Sequence, residues 1–181
     1  MQSFRGVEKV DYKGFDQFRK MEMQWLSGEP ISRSAPEVFC DIRFHAKEGV
    51  FVRIKELLSA VNAIALDEWP HEERVRLKLP GWFVDACVPP FSTEEMKIWL
   101  TQWRSLSPTE QVAFEEKKGW SLADWLHWMS PENRSWFVVN ATHDLRNFSN
   151  LTVAVTSWPA PLGSAKWMLR SAGAHAVEVI E

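Results

Sequence analysis

Tyrosine occurs once and cysteine twice in this chain of 181 residues. Secreted domains that rely on disulfides are usually smaller and far richer in cysteine, so Cys40 and Cys87 are expected to be reduced thiols. No stretch approaches the roughly 18 consecutive apolar residues that mark a membrane-spanning helix. The opening Met1-Gln2-Ser3-Phe4-Arg5-Gly6 has no apolar run suited to a signal peptide. These absences predict a soluble, cytoplasmic protein.

An excess of charge of one sign is also missing. The net charge is −3 and is balanced locally: residues 1–30 carry five basic and five acidic groups, 31–91 eight and nine, 92–129 four and six, and 130–181 four and four. Counterion release on DNA or RNA requires a concentrated basic stripe, so nucleic-acid binding is not expected. Motifs with built-in chemistry are absent as well. Neither GxGxxG, nor GxxxxGK followed by Ser or Thr, nor the nucleophile elbow GxSxG, nor HExxH occurs. No cofactor is predicted.

What the chain has in quantity is tryptophan, eleven residues, beside eleven phenylalanines. Each Trp removes about 150–250 Å² from water when buried, and exposing more than a few would exceed the apolar patch that monomers carry. Most must therefore be core. Helical spacing nominates Trp25, Trp99, Trp103, Trp125 and Trp167 for the interior, whereas Trp69, Trp82 and Trp158 sit in turns rich in Pro or Gly and are candidates for a recognition surface.

The order of elements predicts an α+β fold in one domain, 1–181. The apolar residues Phe15, Phe18, Met21, Trp25 and Leu26 give a helix near 14–27 within an N-terminal segment, 1–30, that Gly28-Glu29-Pro30 ends. Alternation over Val38–His45 gives a strand, the stripe from Val50 to Ala65 a helix, and the alternating Arg74–Leu79 a second strand, so 31–91 reads strand-helix-strand. Capping patterns at Ser92 and Ser107, then Ser121, open three helices in a helical insertion, 92–129. From 130 to 181 the pattern is β-β-α-β, with Trp136–Ala141, Leu151–Thr156, a helix after Ser164 and a strand near Ala176–Ile180. A mixed sheet covered by helices on one face fits this order, and a ferredoxin-like arrangement is one such solution.

Few residues suggest chemistry. A cysteine nucleophile needs a neighbouring base, commonly oriented by a carboxylate, and Cys87, His143 and Asp144 have those residue types. The flanks of Cys87 are apolar, which favours a small core residue instead. His127 follows Asp124 by three positions, half of a metal site, but Asp124 already suits a helix cap, so no metal is predicted. Four Asn-x-Ser/Thr triplets, starting at Asn133, Asn140, Asn147 and Asn150, read as turn chemistry.

Together these readings favour a non-catalytic protein of the toxin-neutralising, inhibitor or adaptor kind, which grips a protein partner through Trp69, Trp82 and Trp158. The alternatives are a hydrolase or transferase built on Cys87, His143 and Asp144, and a small-ligand-binding domain. Neither nucleic acid nor membrane is an expected partner, and a homo-oligomer is compatible with everything above.

Overall fold

The computed structural model describes residues 12–31, 38–69, 71–143, 148–157 and 159–180. Helix α1 (Tyr12–Ser27) is followed by strand β1 (Val38–His45), helix α2 (Val50–Asn62), a 3-10 turn (Leu66–Glu68) and the short helices α3 (Glu72–Arg76) and α4 (Gly81–Ala86). Three helices come next, α5 (Thr93–Arg104), α6 (Pro108–Lys118) and α7 (Leu122–Met129). The chain then forms β2 (Trp136–His143), β3 (Phe148–Val155), α8 (Gly163–Ser171) and β4 (His175–Ile180).

The four strands form one sheet in the order β2-β3-β1-β4. All three pairings are antiparallel, so the expected mixture of pairing directions is corrected. The reason is topological: β1 and β2 run parallel to each other, but β3 turns back from β2 and inserts between them. Two β-α-β units thus interleave.

Alternation along the strands sorts the side chains to two faces. Cys40, Ile42 and Phe44 of β1, Leu151, Val153 and Val155 of β3, and Trp136 and Val138 of β2 turn inward onto Ile54, Leu57 and Leu58 of α2 and Met168 and Leu169 of α8. Phe83 of α4 and Trp125 of α7 close that core with their rings 4.4 Å apart. The helices are not all on this face. α1 lies across the other one, where Phe18 and Met21 pack on Val139 and Ala154, and Phe18 stacks on Phe137 at 5.5 Å.

What ties α1 down is a buried ion pair. Glu22 is 0% exposed. Its carboxylate accepts hydrogen bonds from Arg134 at 2.6 and 2.7 Å, from Asn62 Nδ2 at 2.7 Å and from the Val138 backbone N–H at 2.9 Å. The Arg134 guanidinium lies over the rings of Phe137 at 4.3 Å and Trp136 at 5.1 Å. A carboxylate removed from water needs such complete compensation, and it joins α1, α2 and the approach to β2 at one point.

The strand expected over Arg74–Leu79 is a helical turn instead, running from Glu72 to Arg76. Val75 and Leu79, four positions apart, are buried, while Leu77 between them is 87% exposed. A strand would have put all three on one face. Acidic Glu72 and Glu73 in the first turn and basic Arg74 and Arg76 in the last also match the helix dipole. Among the described residues, region 31–91 therefore contributes one strand, not two.

Candidate functional site

The tryptophans divide differently from the expectation. Trp125 and Trp136 are the fully buried ones among the described residues, and Ser164 holds both indoles: its carbonyl accepts from Trp125 at 3.1 Å and its Oγ from Trp136 at 2.8 Å. Trp25 and Trp167 are half-buried against the core. So are Trp69 and Trp82, two of the residues expected on a recognition surface. The Trp82 indole N–H donates to Glu56 Oε2 at 2.9 Å, and Arg53 lies over its ring at 5.6 Å. Trp158 lies outside the described residues.

Trp99 and Trp103 correct the sequence reading most. They do not join the core. Ser92 and Ser107 start α5 and α6 with capping boxes, in which Glu95 accepts from Ser92 Oγ at 2.7 Å and Glu110 from Ser107 Oγ at 2.6 Å. These bonds, with those from the serine backbone N–H groups, hold both carboxyls below the usual carboxylate range. The two helices then pair with each other. Trp99 stacks on Phe114 at 5.5 Å and on Trp103 at 6.4 Å, and Trp103 Nε1 donates to Glu115 at 2.8 Å. Lys118 covers the cluster from the α6 end, 5.2 Å from the Trp99 ring and 4.7 Å from Phe91.

None of the described residues of α5 or α6 is fully buried. Ile98 is 54% exposed and Val112 57%. The hairpin is thus an aromatic-cored arm beside the sheet domain, tied in at its base, where the Val88 N–H donates to the Trp120 carbonyl at 3.0 Å. Glycine is required there. Gly119 has φ of 73°, and a Cβ would meet Val88 at 3.0 Å. One sequence signal was available: Val112, Ala113 and Phe114 are consecutive, so α6 has no stripe with which to seat itself in a core.

The candidate nucleophile is not prepared for chemistry. Cys87 caps α4 and packs partly buried against the core. Burial pushes its thiol pKa up, outweighing the opposing influence of the Trp167 indole and Arg76. A raised pKa suppresses thiolate at neutral pH, the reverse of what a nucleophile needs. His143 sits at the end of β2, its Nδ1 2.9 Å from Ser149 Oγ, and no hydrogen bond between described residues joins it to Cys87. Asp144 lies outside the described residues. Asp124 takes the capping role, accepting from Ser121 Oγ at 2.8 Å, and His127 faces Asn133.

Of the Asn triplets, Asn133 does serve a turn, donating to the His127 carbonyl at 3.0 Å. Asn140 and Asn150 instead lie within β2 and β3, a correction to their reading as turn residues. Asn147 lies outside the described residues.

Among the described residues no helix is long and apolar enough to cross a membrane. No family model, no curated protein and no solved structure matches the chain significantly. The functional reading therefore rests on the geometry alone.

Proposed function

We propose that this chain is a non-catalytic protein-binding protein of the adaptor, inhibitor or toxin-neutralising kind, and that the α5–α6 hairpin carries its contact surface. One observation supports the reading above others: three large aromatic rings are spent on stiffening an arm that, among the described residues, gives the core no buried side chain. Aromatic stacking fixes the two helices relative to each other, so the surface they present is preorganised and little ordering entropy opposes docking. Ile98, next to Trp99 in α5, and Val112, two residues before Phe114 in α6, are both more than half exposed. Each is already close to half covered, so complete burial in a complex would add about 1–1.5 kcal/mol.

The test compares the wild-type chain with Ile98→Glu/Val112→Glu. Both positions are solvent-exposed, so the variant should keep the wild-type melting temperature within a few degrees. A protein captured by the wild-type chain, then purified and titrated against both forms, should bind the variant at least about tenfold more weakly. Equal affinity for the two forms would remove the hairpin as the contact surface.

A further inference from the structure

We infer that the outer sheet face, beside the C-terminal end of α1, is a binding groove for a small organic cation with an aromatic body, a site separate from the hairpin surface. The groove measures about 1070 Å³. That is near the upper end of the usual range for small-molecule sites.

Its floor follows from strand register. Asn140 of β2 pairs with Thr152 of β3, and Thr152 pairs with Asp41 of β1, so three polar side chains stand in a row across the sheet. A register shift between Val138 and Asn140 interrupts the ladder next to this row. Such bulges re-aim side chains and are frequent beside functional sites. Thr152 Oγ1 donates to Asp41 Oδ1 at 2.6 Å, which fixes the carboxylate.

The charge balance selects the ligand. Asp41 and Glu29 line the groove, and no cation forms a salt bridge with either among the described residues. Lys55, the lysine lining the groove, is directed at the Trp25 ring, 5.1 Å from its centroid. A fixed carboxylate with no counter-ion among the described residues can accept an ammonium or guanidinium group in a charge-assisted hydrogen bond. Apolar wall is available beside it. Phe39, two residues before Asp41 on the same strand face, is 50% exposed, and Ile180 pairs with Asp41 from β4. Ammonium on Asp41 with a flat apolar body along Phe39 satisfies both features.

The experiment is an amide NMR titration of the full chain with 2-phenylethylamine, 2-phenylethanol and 3-phenylpropionate, which share a ring and differ in charge. Saturable shifts centred on Asp41, Asn140 and Thr152 are expected with the amine, and affinity about tenfold or more weaker for the alcohol and the acid. Asp41→Asn keeps the acceptor for Thr152 and removes the charge, so it should abolish the preference for the amine while leaving the spectrum otherwise unchanged. Phe39→Ser should weaken binding of the amine without abolishing its preference over the alcohol. Equal response to all three compounds, shifts centred elsewhere, or an undiminished preference in Asp41→Asn would overturn the assignment.

Discussion

Replacing Glu22 by Ala should be among the most damaging single substitutions in the chain. Both partners of the pair are out of water, with side-chain exposures of 1% for Arg134 and 0% for Glu22. Truncation leaves the guanidinium buried without a counter-ion, a loss of about 3–5 kcal/mol. The Val138 N–H also loses its 2.9 Å acceptor, which places the expected value in the upper half of that range. Asn62 is less affected, because its amide also donates to the Leu58 carbonyl at 2.9 Å. In a protein of this size the loss corresponds to a melting temperature lowered by roughly 8–20 °C. Urea titration followed by tryptophan fluorescence would measure it. The Glu22→Leu/Arg134→Met double variant should be less destabilised than the sum of its single changes by about 2–3 kcal/mol, since no charge is then stranded. A loss below about 1 kcal/mol for Glu22→Ala, or strictly additive single changes, would refute the view that this pair fastens α1 to the sheet.

Three further outcomes follow from the geometry. Because the folded-state pKa values of Glu95 and Glu110 lie below the ordinary value of 4.5, their capping contribution is fully present above that pH and is lost as pH falls through the folded values. Amide shifts of Ser92 and Ser107 should record that loss, and Ser92→Ala and Ser107→Ala should move each glutamate part of the way back to ordinary titration, because the backbone N–H bond remains; normal titration in the wild type would contradict the cap. Gly163→Ala should destabilise the fold by about 1–3 kcal/mol, because the new Cβ would stand 2.8 Å from Trp120 Cζ2, and an unchanged urea midpoint would show that the indole yields freely. Cys87 should react with a maleimide at pH 7 more slowly than a free model thiol, as its raised pKa requires; faster labelling would revive the cysteine-based enzyme reading.

Periodicity and capping made most elements legible in the sequence. The strand Val38–His45, the helix beginning at Val50 and the capped starts at Ser92, Ser107 and Ser121 depend on interactions within a few residues, so local spacing suffices to find them. Arg74–Leu79 misled because Val75, Leu77 and Leu79 satisfy a two-residue period, while Val75 and Leu79 alone satisfy a helical one. Which period applies depends on whether Leu77 has anything to pack against, and it has not. Trp99 and Trp103 misled for a related reason: their spacing gives a helix face, but only tertiary contact decides whether that face meets the core or a neighbouring helix.

By itself, then, the sequence determined the α+β character and most of the places where helices and strands start, those of α3 and α4 excepted, because backbone sterics and side-chain caps act over a single turn or strand. Only the tertiary structure decided the strand order β2-β3-β1-β4, the pairing of Glu22 with Arg134 across 112 residues and the line of Asn140, Thr152 and Asp41 on one face. Contacts so distant along the chain leave no period to read. They are selected by which arrangement buries the most apolar surface while leaving no buried charge without a partner.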